Sequence, residues 1–284
     1  MAFLGLMTAC SNQDDPNTVK VGVMSGPEEQ LMEVAQAVAK QNYGLNIQIV
    51  SFSNYNMPNA ALSDGSIDAN MFQHLPFLQA QMANQGYKLV SIGETFVYPM
   101  GLYSRQITEL GQLQEGAVVA IPNDPTNEAR ALGLLQSAGL ITLKPDAGVS
   151  ATTQDIISNP KNLEIAEMDA AQLPRALNDT ALAAINSNYA IAAGLSAVND
   201  ALFSEGDDSE YANLIVVRQG EENDLQLNEL VLALHSPEVL QKAKELFGDD
   251  AIPAWPVANN SNNSVMQSST EQTAKIQLQE EMPS

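Results

Sequence analysis

The chain is poor in the side chains from which most reactive sites are built. It has one cysteine, Cys10, which excludes a disulfide framework and any zinc site of the CxxC type. It has two histidines, His74 and His235, so histidine-based catalysis would have to run through one of them, and no metal site is expected from the pair. The GxSxG elbow, the GxxxxGK(S/T) loop, the GxGxxG fingerprint and HExxH are all missing. No apolar run is long enough to span a bilayer. Positive charge is scarcest of all: 12 basic residues stand against 34 acidic ones, a net charge of −22. Such a surface repels nucleic-acid phosphates and anionic lipid heads, so no nucleic acid is expected as a partner. An acidic ligand would be repelled too, unless a local cationic spot receives it. Only four arginines are available for that spot.

With enzyme signatures absent and no cofactor expected, a binding module is the natural class. At 284 residues the chain is long enough for two α/β lobes or one large domain. The cysteine is informative through its setting. Ala2 to Ala9 is short and apolar, Thr8-Ala9 places small residues before the thiol, and Ser11 to Asp15 turns abruptly polar. This resembles the end of a bacterial lipoprotein signal, with residues 1–10 as its remnant and Cys10 as the lipidated residue. Two features depart from it: Met7 stands where leucine is usual, and no basic residue precedes the apolar run. Lipidated, Cys10 would anchor a protein whose folded part stays in water.

Residues 11–17 are polar and are expected to form a tether. Val19 to Val23 alternates as a first strand, and Pro27 opens a helix with Glu28 and Glu29 in its first turn. Leu45, Ile47 and Ile49 mark a second strand, and residues 55–63 a short helix. Asp64-Gly65 is a turn feeding a strand from Ile67 to Met71, after which Phe72, His74 and Phe77 surround a helix entry at Pro76. Strands are also expected over Lys88–Phe96, Ala117–Ile121, Leu163–Ile165, Leu182–Ile185 and Leu214–Val217. Asn123-Asp124-Pro125 caps a helix that Gly139 stops. Further helices are expected near 170–177, 187–193, 224–234 and 237–247. The alternation of strand and helix argues for an α/β fold with largely parallel sheets. After Trp255 the composition is Asn/Ser/Gln-rich, and 256–284 is expected to be a disordered tail.

Several residues suit a ligand. Arg130 lies on the second turn of the helix entered through Asn123-Asp124-Pro125-Thr126-Asn127, where a helix N-terminus already favours anions. Its guanidinium offers a forked match for a carboxylate; the competing reading is an ion pair with Glu128 or another acid. Asn186 ends the apolar run Ala181–Ile185, as an amide projecting into a crevice or as a plain helix cap. Asn213 precedes the strand Leu214–Val217 or only ends a turn. Tyr55, Phe72, Phe96 and Tyr98 are each a cavity wall or simple core, and His74 follows a strand end where open α/β sheets place ligands.

Taken in order, DANMFQHLPFL, ETFVYPMGLYS, NDPTNEARALGLLQSAGLI, AAINSNYA and YANLIVVR resemble the NlpA/MetQ lipoproteins, methionine-binding components of bacterial ABC importers. The similarity runs from about Val19 to Trp255. It implies a type II periplasmic-binding-protein-like fold: two α/β lobes joined by crossing strands, with the ligand in the cleft between. Lobe one would comprise 18–103 plus 218–255, and lobe two 104–217, with crossings near Tyr103-Ser104 and Val216-Val217. By this likeness Arg130 clamps an amino acid's carboxylate and Asn186 and Asn213 hold its polar groups. Tyr55, Phe72, His74 and Tyr98 wall the side-chain pocket, and aromatic walls suit a thioether. The implied partners are methionine or a close analogue, an ABC permease, and a membrane reached only through the anchor. The implied place is the periplasmic face of the cell envelope. The chain departs from the group's pattern at Glu28, where histidine is common, at Leu75, where lysine is usual, and at Asn188, where a small hydroxyl residue is usual. Those departures leave open a methionine derivative or a methionyl peptide. An enzyme on the same fold using His74, or an envelope interaction protein with a vestigial cleft, are the readings from other classes.

Overall fold

The computed structural model describes residues 16–206 and 211–257. Cys10, nearly all of the expected tether and all but the start of the expected tail lie outside the described residues. The chain divides into a body ending at Ala254 and a unit beginning at Trp255.

The body opens with β1 (Thr18–Met24), α1 (Pro27–Tyr43), β2 (Asn46–Phe52), α2 (Pro58–Ser63), β3 (Ala69–His74), α3 (Leu75–Gln85) and β4 (Leu89–Val97). It continues through β5 (Gly101–Tyr103), β6 (Val118–Pro122), α4 (Pro125–Ser137), β7 (Thr142–Leu143), β8 (Ile156–Ser158), β9 (Glu164–Met168), α5 (Leu173–Ala176), β10 (Leu182–Ile185), α6 (Ser187–Ala192) and β11 (Phe203–Ser204). It closes with β12 (Ala212–Arg218), α7 (Leu225–Leu234), α8 (Pro237–Phe247) and β13 (Ile252–Pro253).

Two main sheets result, one per lobe. The first has the order β13-β4-β12-β3-β1-β2 and the second β11-β5-β10-β6-β9, with β7-β8 a small separate pair. The parallel pairs expected from strand–helix alternation are present: β1 with β2 and β3, and β6 with β9 and β10. The sheets are nevertheless mixed rather than largely parallel. β12 runs antiparallel to both β3 and β4, and β5 antiparallel to β10 and β11. Apart from β13, which runs antiparallel to β4 at the sheet edge, the strands that add antiparallel pairs to these sheets are those next to the places where the chain changes lobe.

Both crossings differ from their expected positions. β5 pairs with β10, Tyr103 opposite Ala183 and Gly101 opposite Ile185, so Gly101–Tyr103 belongs to lobe two and the first crossing is Tyr98–Met100. β12 sits wholly in the first sheet between β3 and β4, so the return comes after β11 and before Ala212, not at 217. The third strand also runs later than expected, from Ala69 to His74, because its last residues pair with β12.

The core follows from the pattern. Val21, Val23, Ile215, Val216 and Val217 are buried completely in central strands. Burying a side chain of this size contributes about 1.5–3 kcal/mol. Gly26, with φ at 108°, turns the chain from β1 into α1 where a Cβ would be strained. Pro27 opens that helix, and Glu28 follows it, turned inward and 2% exposed. Asp124 caps α4 by accepting from the Asn127 amide at 3.0 Å. Asn127 and Arg130, one helical turn apart, therefore project together.

Candidate functional site

One cavity between the two sheets collects all seven side chains proposed from the sequence. Tyr55, Phe72, His74, Tyr98, Arg130, Asn186 and Asn213 line it. Gln73, Phe77, Asn127, Ser187 and Asn188 complete the lining. Phe96 and His235 do not reach it. Phe96 is core behind Tyr98, their ring centroids 5.8 Å apart, and His235 ends α7 with its Nε2 2.7 Å from the Glu94 carbonyl oxygen.

Strand register places one wall. Asn213 of β12 stands directly opposite His74 of β3. His74 caps α3, its Nδ1 accepting from the Phe77 amide at 3.2 Å, and its Nε2 faces Asn127 Oδ1 at 3.4 Å. Those partners select the tautomer protonated on Nε2. Burial, and next the Arg130 charge, hold the His74 pKa down at about 3. A ring so weakly basic, with both nitrogens engaged, is a poor general base. Tyr55, Phe72 and Phe77 pack on one another at centroid separations of 5.7–6.0 Å, with Tyr189 5.0 Å from Tyr55. Edge-on and tilted geometries of this kind each add about 0.5–1.5 kcal/mol beyond burial.

The cation is fixed rather than free. Arg130 is 6% exposed. Its Nε donates to Glu205 Oε1 at 2.7 Å, and its Nη2 to Glu205 Oε2 at 2.5 Å and to the Tyr98 carbonyl at 2.9 Å. The Tyr211 ring covers one face, 4.3 Å from the guanidinium carbon. Among the described residues Nη1 makes no hydrogen bond. Both sequence readings of Arg130 therefore hold at once: it is ion-paired, and it lines the cavity. The partner is Glu205, 75 residues away, not Glu128, whose Oε1 instead accepts from the Thr153 amide.

Amides supply the remaining polarity. Asn186 Nδ2 donates to Asn127 Oδ1 at 2.9 Å, while its own Oδ1 is buried with no partner. Although Asn186 occupies the N-cap position of α6, its side chain makes no cap bond. Asn213 Nδ2 donates to Glu28 Oε1 at 3.2 Å, and Glu28 Oε2 is likewise buried and unpartnered. Burial raises the Glu28 pKa to about 8, against the pull of the Asn213 and Met24 hydrogen bonds. Behind Gln73, the amides of Asn59, Asn70 and Gln73 satisfy one another at 2.6–2.9 Å.

Sequence reasoning gave no role to Asn127, Ser187 or Glu205. Asn127 lies inside the capping motif and touches both His74 and Asn186. Ser187 donates to the Pro99 carbonyl in the first crossing. Glu205 carries no local signal, because its partners Arg130 and Met100 are distant in the chain. Among the described residues no group of three or more His, Cys, Asp or Glu side chains is placed to hold a metal.

An aromatic cavity between two α/β lobes, with a fixed cation and convergent amides, is the arrangement of a solute-binding protein. The chain belongs to the NlpA lipoprotein family, whose model matches residues 19–255. It is 49% identical over 254 residues to the D-methionine-binding lipoprotein MetQ of Salmonella typhimurium, covering 89% of this chain and 94% of that one. Its fold matches an ABC-transporter periplasmic substrate-binding protein from Coxiella burnetii with a TM-score of 0.81 and 62% identity, covering 83% of this chain and all of the other. It also matches a nutrient-binding protein from Burkholderia cenocepacia bound to methionine, with a TM-score of 0.82 and 47% identity, over 84% of this chain and all of the other.

Proposed function

We propose that this protein captures methionine between its lobes and delivers it to an ABC permease, doing no chemistry on the ligand. The observation that carries the reading is one cavity presenting an unbonded Arg130 Nη1 and an unpartnered Asn186 Oδ1 beside an aromatic wall. A carboxylate suits the first, an ammonium the second, and a flexible thioether the wall, where sulfur–ring contacts add about 0.3–1.5 kcal/mol. Asn213 joins Asn186 in holding the backbone of the amino acid. Tyr55, Phe72, His74 and Tyr98 enclose its side chain. Capture by lobe closure, then docking of the closed form, is the mechanism that a two-lobed fold supports.

Cys10 would carry the acyl chains that hold the protein at the periplasmic face of the envelope, and the lipoprotein names of its relatives support that anchor. A single amino acid is favoured over a peptide because Tyr55 and Asn188 meet across the lobes and limit the length of the cavity.

Native mass spectrometry of the protein as purified tests the reading, with methionine the expected adduct. A thermal-shift panel of both methionine enantiomers, methionine sulfoxide and a methionyl dipeptide then ranks the ligands, since the true one stabilises by mass action. Stabilisation by none of them would overturn the proposal.

A further inference from the structure

The guanidinium is clamped on three sides, and that clamp has a consequence for which ligands the cavity accepts. Glu205 takes its Nε/Nη2 edge in a forked pair, the Tyr98 carbonyl shares Nη2, and Tyr211 lies over one face. Glu205 is itself tied down, since its Oε2 accepts from the Met100 amide at 2.9 Å. The pair is thus fastened to the first crossing and cannot swing apart without breaking backbone contacts. Its side chains are only 5% and 13% exposed, so water does little to screen them.

Nothing in the cavity lining replaces the charge that Glu205, behind Arg130, cancels. His74 is neutral, with its pKa held down at about 3, and Glu28 behind Asn213 stays protonated up to about pH 8. Asp124 lies one layer out, bonded to Thr126 and Asn127, and is the same whether or not Glu205 is altered.

We infer that Glu205 is a specificity-determining and positioning residue, which cancels the Arg130 charge so that the cavity accepts a zwitterion and rejects an anion. A carboxylate meeting Arg130 alone would bring its own charge into balance and leave an ammonium unnecessary. With Glu205 present, a bare carboxylate adds an uncompensated negative charge to a buried site, which is costly. A zwitterionic amino acid adds none. This rests on the reading of the cavity as an amino-acid site.

The test compares L-methionine with 4-(methylthio)butanoate, which keeps the thioether and the carboxylate and lacks only the ammonium. Both are titrated calorimetrically at pH 6.5 into the full-length wild type and into Glu205→Gln and Glu205→Ala, either variant sufficing if it melts cooperatively. The hydrogen bonds lost with the ammonium are the same in every protein, so they cancel in the ratio of the two Kd values. The wild type is expected to prefer methionine strongly, and that preference should shrink at least tenfold when Glu205 is neutralised. A ratio left unmoved while methionine weakens would make Glu205 a brace and nothing more, and would overturn the inference. Loss of both ligands in both variants would overturn it as well. Failure of the wild type to bind methionine would instead overturn the amino-acid reading, and this inference with it.

Discussion

Tyr55 and Asn188, 133 residues apart, meet across the mouth of the cavity: the phenol donates to Asn188 Oδ1 at 2.6 Å. Tyr55 comes from the β2–α2 loop of lobe one and Asn188 from α6 of lobe two. A shorter hydroxyl side chain at 188 would not span this gap in the same way. On the proposed lobe-closure mechanism the bond acts as a clasp. Tyr55→Phe keeps the ring contacts with Phe72, Phe77 and Tyr189 and removes only the donor. About 1 kcal/mol of closure is lost, which corresponds to release of bound methionine roughly 5-fold faster. Stopped-flow dissociation would read it, and an unchanged rate would remove the clasp from the account.

Arg130 contributes to two separable quantities. Arg130→Ala should weaken methionine binding by about 2–4 kcal/mol, because a buried charge-assisted contact is lost. The same change removes the cation facing Glu205, a largely buried carboxylate, which should cost the ligand-free protein about 3–5 kcal/mol in denaturant unfolding. Replacing both, as Arg130→Met with Glu205→Met, should recover much of the stability while leaving binding poor. Recovery of neither would mean that the pair matters through its contacts to Tyr98 and Met100 rather than through its charges.

The buried Glu28 makes stability depend on pH in a direction opposite to that of most carboxylates. Its pKa rises from 4.5 unfolded to about 8 folded, so between those values the folded state holds the extra proton. Stability then falls as pH rises through that window. His74 acts the other way: its pKa drops from 6.5 to about 3, and its contribution is lost as pH falls below 6.5. The two oppose each other between pH 4.5 and 6.5, and above 6.5 Glu28 stands alone of the pair. Unfolding free energy should therefore decline between pH 6.5 and 8, by at most about 1.4 kcal/mol per pH unit from this group. Glu28→Gln should flatten that slope. A slope that survives the substitution would assign it to other groups.

Local signals in the chain read well where burial or capping produced them. The strand Leu182–Ile185 and the helix 237–247 fall where apolar run and Ser236-Pro237 cap place them. The helix bearing Arg130 was legible from Asn123-Asp124-Pro125 for the same reason. What the sequence hid is non-local. Residues 97–104 are extended on both sides of the first crossing, and only the pairing of Gly101–Tyr103 with β10 shows where the lobe changes. Likewise β12 resembles a strand of either lobe until its partners β3 and β4 are known. Glu205 is one acid among 34, and nothing periodic links it to an arginine 75 positions earlier. Asn127 was hidden differently: its backbone role in the cap masked its side-chain contacts to His74 and Asn186.

Methionine is proposed to bind in this cavity through Arg130. Isothermal titration of L-methionine into protein stripped of ligand by unfolding and refolding addresses it most directly. One saturating site is expected, with its heat abolished or strongly reduced in Arg130→Ala. Absence of heat in the refolded wild type, or equal binding by the variant, would contradict it.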